Sequence, residues 1–321
     1  FQAEDGIRDR SPSRGLGDVY KRQIRGSPLR IRMNQSSPER AGFYFNLGIA
    51  YSAMGEYESA IEAYNETLRL DSGYSEAYHN RGKIYHDLGQ NDRAIEDYTQ
   101  AVQCNLEFAA AYNNRGIAHY EKGAIAEAIK DYNEAVRINP DYIAAYNNRG
   151  NAYRAAGENA RAIVNYDEAI SRDPENAVAY NNRGTAYHAL GENERAIEDY
   201  DEAIRINPQY AAAYNNRGNA NNDLPQPERA LRDYDEAIRL EPTDADVYIN
   251  RGNTLNGLAQ YDRAIEDYCE AIQLNPVCAE AYHNRAVAFN RLGNYGESER
   301  DFAKVAELQK LADNESPEGS Q

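Results

Sequence analysis

Small and aromatic residues alternate with polar ones along this chain at a helical spacing, and the whole pattern returns every 34 residues. From Ala41 to Ala312 the period runs through eight copies without insertion or deletion. Two of the cleanest are AAAYNNRGIAHYEKGAIAEAIKDYNEAVRINPDY, from Ala109 to Tyr142, and AVAYNNRGTAYHALGENERAIEDYDEAIRINPQY, from Ala177 to Tyr210. Counting positions within the repeat from 1 to 34, the pattern predicts a first helix over positions 2–14 and a second over 18–31. Glycine at position 15 (Gly55, Gly89, Gly123, Gly157, Gly191) ends the first helix, because it tolerates left-handed backbone. Proline at position 32 (Pro140, Pro174, Pro208, Pro242, Pro276) stops the second. A fixed period of this length predicts an all-α solenoid, in which each unit buries its apolar face only against its neighbours.

At about 100° per residue, positions 4, 7, 8 and 11 fall on one side of the first helix and bury against the second. Glycine at 8 and alanine at 20 let the two helices approach closely, and tyrosine at 4, 11 and 24 fills the space around that contact. Positions 3, 10 and 14, with Ala111, Ala118, Leu190 and Leu224, suit packing on the preceding repeat. This combination resembles the tetratricopeptide repeat, a 34-residue helix–turn–helix unit, over 272 of the 321 residues. The resemblance implies a right-handed superhelix whose concave face, lined by first helices, binds peptides.

Positions 2, 6, 9 and 13 remain as an open stripe, with 5 and 12 at its edge. Position 6 is asparagine in all eight repeats: Asn46, Asn80, Asn114, Asn148, Asn182, Asn216, Asn250 and Asn284. Position 5 adds Asn113, Asn147, Asn181 and Asn215, and position 9 adds Asn151, Asn219 and Asn253. Asparagine is a mediocre helix former, so eight equivalent helix-interior sites ask for a reason. Its amide can pair with both the N–H and the C=O of an extended peptide. The arrangement resembles the asparagine ladder of protein O-glycosyltransferases, whose tetratricopeptide superhelix holds substrate backbone. The competing explanation, a hydrogen bond to a neighbouring repeat, stays open. A clamp for a C-terminal carboxylate, as in chaperone-tail adaptors of this family, is excluded: position 5 never holds lysine, position 2 carries no base and position 6 is always asparagine.

Other repeated residues suit the scaffold. Position 7 is arginine in seven repeats, and position 23 is acidic in six of those seven (Asp97, Asp131, Asp199, Asp233, Asp267, Asp301), which predicts an ion pair within each repeat. The rival partner for that aspartate is the arginine four residues earlier, as in Arg93 and Arg195. His79 and His86 lie seven residues apart on one helix, about 10.5 Å along its axis, too far for one metal ion. No nucleophile–base pair, phosphate loop or positioned acid pair is present, so neither catalysis, cofactor nor metal is expected. Repeat 6 departs from the pattern, with Asn221 replacing the core aromatic and Pro225 and Pro227 flanking its turn, and is expected to be the weakest unit.

Residues 1–23 resemble the in-frame translation of a sequencing-library adapter, residues 24–40 read as a leader with Met33 as its start, and 313–321 read as a disordered tail. The eight repeats occupy 41–74, 75–108, 109–142, 143–176, 177–210, 211–244, 245–278 and 279–312. Without residues 1–23 the chain holds 48 acids against 30 bases, a net charge of −18. That balance disfavours nucleic acid and anionic membrane and favours a neutral or basic partner. No apolar run reaches membrane-span length, and three cysteines without ligand spacing suit a reducing compartment, so a cytoplasmic location is expected. The sequence therefore reads as a non-catalytic interaction scaffold that binds extended peptide along an Asn-lined groove. The alternative is the substrate-docking region of a larger enzyme, of glycosyltransferase or kinase type. Self-association through the N-terminal face, where Phe43 and Met54 would meet a preceding helix, is a third expectation.

Overall fold

The computed structural model describes residues 36–315, with side chains as far as Leu311. The adapter-like segment, Met33 and residues 316–321 lie outside the described residues. Among the described residues all regular structure is α-helical, and the chain divides into two compact units at Gly157–Glu158. The first unit holds α1 (Ser37–Ala53), α2 (Tyr57–Leu70), α3 (Ser75–Asp87), α4 (Asn91–Cys104), α5 (Ala109–Glu121), α6 (Ile125–Ile138) and α7 (Ile143–Ala155). The second holds α8 (Asn159–Arg172), α9 (Ala177–Ala189), α10 (Asn193–Ile206), α11 (Ala211–Asp223), α12 (Pro227–Leu240), α13 (Ala245–Gly257), α14 (Tyr261–Leu274), α15 (Ala279–Arg291) and α16 (Tyr295–Glu315). Within each unit every helix packs on the next, and successive first helices also touch, as α3 does α5 and α11 does α13.

The helices within the array begin and end about one residue earlier than the pattern predicts. The ends of the array differ more. Helix α1 starts at Ser37, where the Glu39 carboxylate accepts the Ser36 N–H at 3.0 Å. Helix α16 continues to Glu315, across the first three residues assigned from sequence to the tail.

Each turn inside a repeat is closed by left-handed backbone at position 15. Gly55, Gly89, Gly123, Gly157, Gly191 and Gly293 have φ between 71° and 80°. The next amide then reaches back into the helix, as Gln90 N–H does to the Tyr85 carbonyl at 2.8 Å. Ala259 adopts the same conformation in repeat 7, at φ 58°, and Pro225 is drawn to φ 25° in repeat 6. Pro227 occupies the first turn of α12, where a proline costs nothing. The second helices end on an Asx turn as well as a proline. Asp71 and Asn105, with no proline after them, accept the amide two residues on at 3.0 Å, as Asn139 does at 3.1 Å.

The core of a repeat is the tyrosine at position 24 lying over the glycine at position 8. A Cβ on Gly116 would sit 2.6 Å from Tyr132 Cε1, and one on Gly82 would sit 2.9 Å from Tyr98 Cε1. These rings are 1% exposed, so only glycine admits them. Ala111 packs on Ala101 and Val102, and Ala118 on Tyr85 and Tyr98, both in the preceding repeat. Position 14 contributes less than its apolar residues suggest, with Leu190 46% exposed at the helix end.

Candidate functional site

The asparagines of the stripe are placed by the contact between successive first helices. In repeat 3, Asn113 is 3% exposed, and its Oδ1 accepts from Asn148 Nδ2 of the next repeat at 3.0 Å. Its own Nδ2 donates to Asn114 Oδ1 at 3.2 Å. The second unit repeats the arrangement: Asn216 donates to Asn181 at 3.0 Å and Asn250 to Asn215 at 3.1 Å. Where repeat 7 carries Ile249 at position 5, Asn284 turns instead to Asn253 Oδ1 at 2.9 Å. Asn113, Asn181 and Asn215 at position 5 thus accept inter-repeat rungs from position 6 of the next repeat, while Asn147 Oδ1 is buried without a hydrogen-bond partner. Asn147 and Asn182 are half-buried, and Asn46 is exposed at the start of the array.

Position 9 serves the core. Tyr234 and Tyr268 hydroxyls each donate to the position 9 amide of their own repeat, Asn219 and Asn253, at 2.8 Å. Asn151, in repeat 4, is half-buried. Burial drives the hydroxyls of Tyr98, Tyr234 and Tyr268 well above the usual phenol range and pushes Tyr64 up to about 12, with the Asn80 amide opposing the shift on Tyr64.

Repeat 2 substitutes a histidine for the position 5 asparagine. His79 is 9% exposed, against the rings of Phe108 at 4.8 Å and Tyr98 at 5.8 Å. Asn114 Nδ2 donates to His79 Nε2 at 3.0 Å, and Nδ1 faces Asn80 Oδ1 at 3.3 Å. These neighbours assign a neutral ring with its proton on Nδ1. Burial lowers its pKa to about 4, opposed by Asn80 and helped by Lys83.

An amide carries two N–H donors and an oxygen with two lone pairs. One rung uses one donor, so Asn148, Asn216 and Asn250 each keep an N–H for a further partner. Around them the surface carries acids such as Glu76, Asp87, Glu121 and Asp223 together with Lys83 and Arg154. His86 Nε2 meets Glu121 Oε2 at 3.0 Å and His188 Nε2 meets Asp223 Oδ2 at 2.8 Å, both between adjacent repeats.

The arginine at position 7 pairs with the aspartate at position 23 in both units. Arg115 holds Asp131 through Nε at 2.9 Å and Nη2 at 2.6 Å, and Arg251 holds Asp267 at 2.9 and 2.6 Å. Burial nevertheless raises the carboxyls of Asp97 and Asp199 above the usual range, against the pull of Arg81 and Arg183. The rival arginine at position 19 goes elsewhere: Arg195 stacks over Tyr187, 3.9 Å from its centroid. A third partner escaped the sequence. Arg183 Nη1 reaches Asp167 Oδ1 at 2.6 Å and Arg115 Nη1 reaches Thr99 Oγ1 at 3.2 Å, each at position 25 of the preceding repeat. The polar residues recurring there (Asn65, Thr99, Asn133, Asp167, Asp201, Asp235) were the available signal.

Comparison with known families agrees with this geometry. A TPR repeat profile matches residues 50–89, 82–123, 118–157, 150–191 and 184–224, and tetratricopeptide repeat profiles match 211–244, 233–266 and 278–318. The chain belongs to the tetratricopeptide repeat family. Among solved structures, a tetratricopeptide repeat protein from Parabacteroides merdae is similar at a TM-score of 0.62 and 18% identity, over 81% of this chain and 99% of that one. MamA is similar at 0.50 and 29% identity, over 54% of this chain and 94% of its own. The complex of Cut9 with Hcn1 from the APC/C matches at 0.61 and 17% identity, over 78% of this chain and 50% of that one. A search of curated proteins gives no match. The tetratricopeptide assignment supports a protein-interaction scaffold. No helix among the described residues is long and apolar enough to cross a membrane.

Proposed function

We propose that this tetratricopeptide protein is a non-catalytic scaffold that holds an extended, neutral to basic segment of a partner along the asparagine stripe of its first helices. The observation that carries the proposal is the rung itself. Tying one amide donor to the preceding repeat fixes Asn148, Asn216 and Asn250 in direction and leaves the second N–H of each for a peptide carbonyl. Neighbouring first helices sit roughly 10 Å apart, about three residues of extended chain at ~3.3 Å each. Each hydrogen bond nets about 0.5–1.5 kcal/mol, against about 1–2 kcal/mol to order a backbone residue. The stripe therefore sets register, and side-chain anchors and the acidic surface supply affinity.

The test is a peptide-array screen on the full chain and on the triple variant Asn148→Ala, Asn182→Ala, Asn216→Ala, with thermal unfolding measured beside it. Binding lost well beyond any change in unfolding temperature supports the stripe as the site. A lowered unfolding temperature with the same peptides still bound makes the asparagines inter-repeat bonds alone.

A further inference from the structure

The side chain at position 11 of the first helix ties three successive repeats together. Tyr187 in repeat 5 is 6% exposed and shares one apolar cluster with Ala196 and Tyr200 of its own second helix, Ile163 of the preceding repeat and Ala220 of the next. Tyr85 in repeat 2 joins Ile61, Ala94, Tyr98 and Ala118 in the same way. Leu255 in repeat 7 joins Leu231, Ala264, Tyr268 and Ala288. A solenoid is held only by contacts between neighbours, so these ties give it continuity.

Repeat 6 lacks the tie. Its position 11 is Asn221, and the apolar cluster around Tyr234 includes neither Ile197 of repeat 5 nor position 10 of repeat 7. Toward repeat 5, a cavity of about 230 Å³ is lined by Ile197 and Asn221, where Tyr187 packs on Ile163 in the unit before. Toward repeat 7, position 10 is the polar Thr254, whose Oγ1 donates to the Asn250 carbonyl at 3.0 Å and to Asn222 Oδ1 at 3.2 Å. Asn221 is 3% exposed, and its Nδ2 donates to Asp233 Oδ2 at 2.9 Å. Its Oδ1 is buried with no hydrogen-bond partner. An acceptor in that state costs stability that is recovered once water reaches it, which favours the opened repeat. The apolar links that remain are Ala220 with Tyr200 on one side and Val247 with Tyr234 on the other.

From these contacts we infer that repeat 6 is an opening point built into the second unit, where α11 and α12 unfold locally ahead of repeats 5 and 7. Local opening is cheapest where few buried apolar contacts hold an element. The consequence falls on the asparagine stripe. Two rungs run through α11, since Asn216 donates to Asn181 and Asn215 accepts from Asn250. One opening breaks both, and both form again when the repeat closes. Opening needs no ligand, so it is measurable whether or not the stripe holds a peptide.

The test is amide hydrogen exchange on the full chain, resolved by helix and expressed as protection factors. Amides of α11 and α12 are expected to be about tenfold less protected than those of α9 and α10, and than those of α13 and α14. The variant Asn221→Tyr restores the ring found in repeats 2 and 5. It is expected to raise protection in α11 and α12 about tenfold, with a smaller change in repeat 5. Asn221→Leu, after Leu255 of repeat 7, removes the orphan acceptor and is expected to act in the same direction if the tyrosine variant fails to fold. Repeat 6 as well protected as either neighbour in the parent chain overturns the proposal. So does unchanged protection of repeat 6 in a variant that folds.

Discussion

Asn148 donates its side-chain amide to Asn113 Oδ1, 3.0 Å away in the preceding repeat and 35 residues earlier in the chain. Asn113 is buried, so removing its partner leaves an acceptor without water or protein to satisfy it. Asn148→Ala and Asn113→Ala are each expected to destabilise the array by about 1–2 kcal/mol. The double variant should cost less than the sum, by about 0.5–1.5 kcal/mol. Urea unfolding of the four proteins measures that coupling, and additive losses would show that the rung is not formed in solution.

The same rung is made by His79 in repeat 2, which makes one inter-repeat contact sensitive to pH. The folded ring titrates near 4 instead of 6.5, so the unfolded chain takes up the proton first as pH falls. Stability present above pH 6.5 is therefore lost between about 6.5 and 4, up to about 3 kcal/mol. Asp97 and Asp199 act in the opposite sense. Burial raises their carboxyls, so the folded state protonates before the unfolded one and gains stability as pH falls from the raised value toward the usual carboxylate range. His79→Asn, which restores the residue found in repeats 3–6, isolates the histidine. Its unfolding free energy should fall less than the parent's between pH 7 and 4.5, and parallel curves would rule out this role for His79.

Left-handed backbone at position 15 is filled by glycine in six repeats and by Pro225 and Ala259 in the other two. A side chain at positive φ costs about 1 kcal/mol relative to glycine. Ala259→Gly should therefore stabilise the second unit by about that much. Thermal unfolding in which Ala259→Gly does not exceed the parent would contradict this.

Gly116 is required for space rather than for conformation. Its added Cβ would sit 2.6 Å from Tyr132 Cε1, and that ring is 1% exposed. Gly116→Ala should cost about 1–3 kcal/mol through overpacking. Repeat 8 carries Ala286 at this position, and there the aromatic at position 24, Phe302, is 39% exposed. A Gly116→Ala variant as stable as the parent would mean that Tyr132 moves aside at no cost.

Much of this was legible because it is local and periodic. Gly123 ends α5 through a backbone conformation that glycine alone adopts without strain, and that is a property of one residue. The Arg115–Asp131 pair could be inferred because both residues recur on fixed faces of two helices joined by a short turn. The two residues must also appear together, and repeat 1, with Leu47 and Ala63, lacks both. Leu190 was misplaced by the same logic, since an apolar residue at a helix end need not be covered.

By itself the sequence determined the eight units, their helices, their turns and the ring-on-glycine core, because helical periodicity fixes which side of its own axis each residue occupies. It placed all eight position 6 asparagines on one stripe and could go no further. Whether Asn148 reaches Asn113 depends on the rotation and offset between successive first helices. That relation is set by small residues such as Ala111 and Ala118, packed in the preceding repeat. The tertiary structure decided that it does, as it decided that Arg183 also spans to Asp167. The physical reason is one of range. A period constrains directions within a helix, whereas a side chain on the border of two helices can turn either way for about 1 kcal/mol. Only the contact across the border selects between them.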